Sequence, residues 1–397
     1  MSSKKKATIH GQSATFHLTA YGDTLAYLSV VLDAHADPQK AASEAYEKVA
    51  ELLADRQMDV LHERIFGSLA SHDAVQAGRR EALGDHPAAT GPVTYLQGPP
   101  LWGEGLAGIN LMAVRSQTPG GLRTIADEAG VPAGRAWEHV GTTFLFLQSM
   151  HGRVADNGVD NSREAQADRM FLQADALLRS QQTDYRSVAR TWIYLSKILD
   201  WYGEFNGVRS HRYGQFGLMP DPAKTGGNHL LLPASTGIEA DGSHGEEATM
   251  DVLAAVVGDG SPVEIHQMTN ARQKDAFQYG SAFSRGAAIR MPGATVISIS
   301  GTAAIDEAGV SLFPGDFHAQ MHRTLDTIEA LIAQEGAALS DLCDMSLFVK
   351  NARDAETFGK VLAERGLEDI PGVPVVADVC RDDLLFEADG TALVVPS

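Results

Sequence analysis

One pattern recurs three times along this chain and limits what it can fold into: an apolar strand-like run, an amphipathic helical stretch, then a second apolar run. In the last copy, ATVISISGTAAID (294–306) reads as a buried strand. Met321, Leu325, Ile328 and Ile332 then form one helix stripe, and DLCDMSLFV (341–349) reads as a strand of mixed pattern. The middle copy has TTFLFLQSM (142–150), a stripe through Met170, Ala174 and Leu177, and SVARTWIYL (187–195). The first has DTLAYLSVV (23–31), a stripe of Ala42, Tyr46, Val49 and Leu53, and DVLHERIFG (59–67). In every copy an apolar residue stands six positions before an aromatic one: Val60/Phe66, Val188/Tyr194 and Leu342/Phe348. Any single match arises by chance in an α/β chain, but matched order and spacing three times over indicate an internal repeat.

After a second helical stretch, the last copy continues with VPVVADVC and LLFEA, read as a hairpin about the turn Arg381-Asp382-Asp383. The repeating unit is then strand-helix-strand-helix-hairpin. Its expected boundaries are 1–115, 116–260 and 261–397, with polar, turn-rich loops over 151–168, 218–228 and 240–262. A chain of 397 residues has ample length for such units, each with its own core.

Composition removes several classes of function. A net charge of −19 opposes binding to a phosphate backbone, which needs clustered Lys and Arg, so no nucleic-acid partner is expected. Two cysteines, Cys343 and Cys380, are too few for a disulfide framework, and they show no zinc-type spacing. MSSKKKATIHGQ lacks an apolar run after its basic residues, and no stretch approaches the ~18 apolar residues of a membrane span, so a cytoplasmic protein without membrane contact is expected. There is no P-loop or HExxH; GEG (103–105) and TGGN (225–228) read as ordinary glycine loops, and none of the scattered histidines is read as a metal ligand.

The segment VCRDDLLFEADG (379–390) carries the clearest chemical signal. Glu387 follows Leu384, Leu385 and Phe386, and burial among them would raise its pKa enough to hold a proton at neutral pH. A solvent-facing strand glutamate is the ordinary alternative. Cys380 reads most simply as a small core hydrophobe, although the intervening turn would let it approach the same pocket as Glu387.

Two sets of motifs bring a family into view. YGSAFSRGAAIRMPGATVISISGTAAIDEAG, GDFHAQ, MSLFVKNARDAETF and VPVVADVCRDDLLFEADG resemble the RidA/YjgF family, small proteins that trimerise with ligand sites in the clefts between subunits. ARTWIYLSKILDWYGEFNGVRS and LPASTGIEADG, on top of that architecture, resemble the chorismatase family, which cleaves chorismate to pyruvate and a cyclic product. The resemblance covers roughly residues 95–397. It implies an α/β (α+β) chain of repeated RidA/YjgF-like (chorismate-mutase-like) units in a pseudo-trimeric arrangement, and hence a monomer.

The resemblance also implies roles. Glu387 falls at the family's catalytic glutamate, a general acid that protonates the enolpyruvyl ether. A cysteine at the place of Cys380 marks the branch that makes 3-hydroxybenzoate, where a thiol would suit a proton shuttle. Chorismate carries two carboxylates, for which arginine's planar fork is the natural clamp. Arg209, Arg285 and Arg381 are the candidates; each reads equally as a solvated charge, Arg381 above all. Tyr202 offers a ring and a hydroxyl, or is one more core aromatic beside Trp201 and Phe205. Small residues in SGTAA (300–304) leave room for a flat ligand, or only for close packing. No metal or organic cofactor is called for. The stretches PGVPVV and PAST lack the arginine with which RidA deaminases grip a carboxylate, which disfavours the runner-up, an enamine/imine deaminase. A non-catalytic small-ligand-binding protein is the third reading.

Overall fold

Each of the six apolar runs that flank the helix stripes becomes a strand with two hydrogen-bonded neighbours in the computed structural model, which describes residues 3–33, 37–155, 158–219 and 232–395. The first unit runs β1 (Lys4–His10), β2 (Ala14–Tyr21), β3 (Leu25–Leu32), α1 (Pro38–Ala54), β4 (Asp59–Gly67), α2 (His72–Leu83), β5 (Thr94–Gln97) and β6 (Leu106–Val114). The middle unit repeats it as β7 (Leu122–Ala126), β8 (Pro132–His139), β9 (Thr142–His151), α3 (Arg163–Ser180), β10 (Val188–Leu195), α4 (Tyr202–Gln215), β11 (Ala234–Glu239) and β12 (Ala248–Val257). The last has β13 (Glu264–Met268), β14 (Gly286–Met291), β15 (Ala294–Ala303), α5 (Phe317–Ile332), β16 (Leu342–Val349), α6 (Ala355–Glu364), β17 (Gly372–Val376) and β18 (Phe386–Val394). All three sheets have six strands in the same order, β1-β2-β3-β6-β4-β5 and its equivalents. Only β4/β5, β10/β11 and β16/β17 are parallel, the pairing that demands a crossover; α2, α4 and α6 supply it.

The helices lie where their apolar stripes require. Met321, Leu325, Ile328 and Ile332 are all fully buried against the last sheet, and Asp316 caps α5 by accepting from the amide of Ala319. Tyr46 and Val49 do the same for α1, which Asp37 caps and Pro38 begins. The opposite faces of the three sheets meet in one shared core that includes Tyr27, Trp137, Trp192 and Phe348. The repeat aromatics come together there: the Phe66 ring lies 6.4 Å from both Tyr194 and Phe348.

Polar residues within otherwise apolar strands join the units across this core. His62 Nε2 is 2.8 Å from Asp251, Arg64 is 3.3 Å from Asp344, and Arg190 is 3.2 Å from Asp389, each pair linking two units. This explains the mixed pattern of β16: Asp344 and Ser346 face neighbouring units rather than solvent. Removing one member of such a buried pair strands its partner, at a cost of about 3–5 kcal/mol.

Several expectations need correction. There is no terminal hairpin: β16 lies between β17 and β18, parallel to one and antiparallel to the other. Residues 377–385 form an irregular connection instead, held by burial of Val379 and Leu384. Each unit begins with a strand meander that the strand-helix-strand-helix-hairpin unit omitted. The expected 240–262 loop contains β12, a central strand, and the 151–168 loop gives way to α3 at Arg163. Of the 218–228 loop, residues 220–228 lie outside the described residues, as does TGGN.

Candidate active site

Glu387 is the second residue of β18, paired in register with Phe348 on β16 and Ala303 on β15. Its carboxyl fits because Gly301 lies opposite: a Cβ there would sit 2.2 Å from Glu387 Oε1. The side chain is 5% exposed. Burial pushes the carboxyl up to about 8, the Asp389 charge adds to the rise, and Arg285, Arg190 and Arg381 draw it back. At neutral pH the group therefore holds a proton inside the protein.

The carboxyl opens on a cleft of about 780 Å³ between the middle and last units, and all six residues expected from the sequence line it: Tyr202, Arg209, Arg285, Cys380, Arg381 and Glu387. Tyr202 and Arg209 project from α4, separated by two helical turns, so they share a face. The Tyr202 ring packs on β11 at Gly237, where a Cβ would meet it at 3.5 Å. Arg209 is 1% exposed, with its guanidinium 5.5 Å from the ring centroids of both Phe205 and Phe283. Its one hydrogen-bond partner among the described residues is Asn206, and no carboxylate there pairs with it. Arg285, just before β14, is also buried; its Nε donates to the carbonyl of Lys274 and its guanidinium lies 5.4 Å from the Phe283 ring. Arg381, which the sequence reading leaned toward leaving in solvent, is half-buried and donates to the carbonyl of Gly309 at 2.9 Å.

Cys380 is half-buried at the same cleft, and burial, then the Glu387 charge, push its thiol up to about 12, so it stays protonated at neutral pH. The connection carrying it is pinned from two sides. Gln320 of α5 donates to the carbonyl of Asp383 and accepts from the amide of Leu385, both at 2.7 Å, and the amide of Glu239 on β11 donates to the carbonyl of Asp378 at 3.0 Å. These contacts bring Cys380 beside Glu387 without a hairpin.

Sequence reasoning missed Asn206, Phe283 and the support behind Glu387. That support is Arg190, which donates to Thr236 at 2.6 Å, while Thr236 donates to Asp389 at 2.6 Å. A lone arginine in the strand ARTWIYL was the available signal. Gly301 lay within SGTAA, singled out there for its small residues.

The strand registers identify the equivalent positions in the other units. Glu387 pairs with Phe348 as Thr249 pairs with Tyr194, and Gly286 pairs with Ile299 as Gly134 pairs with Leu147. Thr249 thus stands in the place of Glu387, and Ala133 in the place of Arg285. Both line a cleft of about 1220 Å³ between the first and middle units that lacks this acid and this clamp. In the first unit Gly108 pairs with Phe66, and a Cβ on Gly108 would be 2.7 Å from Val373, so the third position is closed. Of the three register-equivalent positions, Glu387, Thr249 and Gly108, only the first carries an acid.

Residues 274–381 match the family model described as Endoribonuclease L-PSP. A chorismatase from Streptomyces rapamycinicus is 30% identical over 227 residues, covering 52% of this chain and 64% of that protein, so the match spans somewhat less than two thirds of the relative. A 3-hydroxybenzoate synthase from Streptomyces hygroscopicus is 26% identical over 294 residues, covering 67% of this chain and 78% of that protein. Among solved structures, a chorismatase crystal structure aligns with a TM-score of 0.60 at 22% identity, covering 84% of this chain and 92% of that one, which establishes a common fold. The chain thus consists of three sheet-and-helix units of RidA-like fold, and it is similar in sequence to chorismatases and to a 3-hydroxybenzoate synthase and in fold to a chorismatase.

Proposed function

We propose that this protein converts chorismate to pyruvate and a cyclic product, with 3-hydroxybenzoate as that product. The observation that carries the reading is a buried, protonated Glu387 and a buried Arg209 without a carboxylate partner among the described residues, facing one cleft. Chorismate presents two carboxylates and an enol ether. Arg209 takes one carboxylate in a bidentate grip, and Arg285 and Arg381 form the second anion-binding wall. Tyr202 packs against the ring. Glu387 delivers its proton to the enol-ether methylene carbon, leaving an oxocarbenium-like centre, the step a general acid accelerates.

From that centre two outcomes are open. Attack by water yields pyruvate and a dihydrodiol, which requires one added water. Attack by the ring hydroxyl, followed by loss of pyruvate and aromatisation, yields 3-hydroxybenzoate with no net water. The protonated thiol of Cys380 beside Glu387 supports the second, because aromatisation needs a proton moved at the ring.

The core shared by the three sheets supports a monomer, with unit boundaries in the connections near residues 115 and 260. No described helix is long and apolar enough to cross a membrane, and a cytoplasmic location is the reading we adopt. Incubation with chorismate tests the function: pyruvate release with 3-hydroxybenzoate by chromatography is expected. Turnover of imine substrates with none of chorismate would replace this reading with the deaminase. Light scattering at three times the chain mass would overturn the monomer.

A further inference from the structure

His318 and His322 stand one turn apart on α5 and so project from the same face of the helix. Across from them Glu364 ends α6. Both imidazoles point to one atom: Nε2 of His318 is 2.7 Å, and Nε2 of His322 is 2.9 Å, from the same oxygen, Oε2 of Glu364. All three donor atoms lie within 4.8 Å of one another. Metal bonds of about 2.0–2.2 Å place neighbouring donors roughly 3–3.5 Å apart, so only a small opening of the cluster would admit an ion. Lys360 approaches the other carboxylate oxygen, at 3.7 Å, leaving Oε2 to the histidines.

We propose that His318, His322 and Glu364 form a binding site for a divalent transition metal that bridges α5 to α6. Two imidazoles and one carboxylate favour Zn²⁺ or Ni²⁺ over Mg²⁺ or Ca²⁺, which prefer oxygen ligands. The three side chains are partly exposed, so water can complete the coordination. The site lies outside the cleft that holds Glu387, yet it braces the same helix: Gln320, between the two histidines in sequence and fully buried, holds the connection that leads to Glu387.

The test uses the full chain after removal of metal by a chelator, titrated calorimetrically with Zn²⁺, Ni²⁺ and Mg²⁺, with thermal unfolding followed in parallel. One Zn²⁺ or Ni²⁺ site is expected that raises the unfolding temperature. Even supporting residues around a metal are worth about 10–100-fold in affinity, so His318→Ala and His322→Ala, each removing a direct ligand, should weaken binding by at least about tenfold. Because these side chains are at the surface, both variants should fold, and their unfolding temperatures without metal should match the parent. Titration curves that are the same for parent and variants, or binding of Mg²⁺ as tight as that of Zn²⁺, would overturn the proposal.

Discussion

Replacing Gly301 by alanine tests the seat of Glu387 without touching any group that could do chemistry. The added Cβ would lie 2.2 Å from Glu387 Oε1, 3.2 Å from its Cδ and 3.3 Å from Thr236 Cγ2. Optimal non-bonded contact is near 3.5 Å, so the carboxyl must retreat by about 1 Å or more. The clashing atom is the far end of a side chain that borders an open cleft, so overpacking should cost no more than about 1–3 kcal/mol. Displacing a reacting group by 1 Å, by contrast, costs about 10²-fold in rate. The expected variant is a folded protein with a small loss of thermal stability and about 10²-fold lower kcat for pyruvate release from chorismate. Folding is checked by circular dichroism and turnover by a coupled pyruvate assay. Near-parental turnover in a folded Gly301→Ala protein would show that the position of this carboxyl does not govern the reaction.

Arg209→Lys keeps the charge but loses the planar fork, and a hydrogen bond to a charged group is worth about 1.5–3 kcal/mol, so KM for chorismate should rise about 10- to 100-fold; an unchanged KM would remove Arg209 from the clamp. Cys380→Ala should still release pyruvate while the ring product shifts from 3-hydroxybenzoate toward the dihydrodiol; an unaltered product ratio on chromatography would return this cysteine to a packing role. Asp389→Ala leaves Arg190 buried without its carboxylate partner, and should destabilise the fold by about 3–5 kcal/mol in denaturant titration. A loss below 1 kcal/mol would mean that the pair does not hold the units together.

What the sequence disclosed, and what it hid, follows from where each signal lies. The stripe helices α1, α3 and α5 and the strands β3, β4, β9, β10, β15 and β16 were legible because Met321, Leu325 and Ile328, or Val60 and Phe66, sit in local patterns that burial enforces, whereas the central strand β12 was hidden in an expected loop. The meander strands β1, β7 and β13 were not, because KKKATIH, LRTIA and EIHQM are largely exposed edges with no clean alternation. Val379 and Leu384 misled in the other direction: they are fully buried, as strand residues would be, but the connection that carries them joins no ladder. In the site, Glu387 stood out as a lone acid after an apolar run, while the arginines and Cys380 drew their meaning from family resemblance. The space left by Gly301 depends on a contact across two strands. His318 and His322 stand four apart, a helical ligand spacing that the reading of the histidines as scattered passed over; Glu364 lies forty-two residues beyond His322, and its approach is a matter of helix packing.

The central claim is that Glu387 acts as a buried acid on chorismate, and the pH profile of pyruvate release tests it most directly. The folded carboxyl sits at about 8, above its ordinary value near 4.3, so the protonated form prevails at neutral pH. In the folded enzyme the protonated state is nearly complete one pH unit below 8 and is lost as pH rises through 8, so kcat/KM should fall about tenfold per pH unit above that point. The stability contribution of the neutral carboxyl is full only below about 4.3, where the unfolded chain is protonated too, and is lost as pH rises to 8. Glu387→Gln should lower turnover by at least about 10²-fold, abolish the inflection near pH 8, and raise stability above the parent's there, since no charge is then forced into the buried site. A glutamine variant that keeps near-parental turnover with the same inflection would contradict the account.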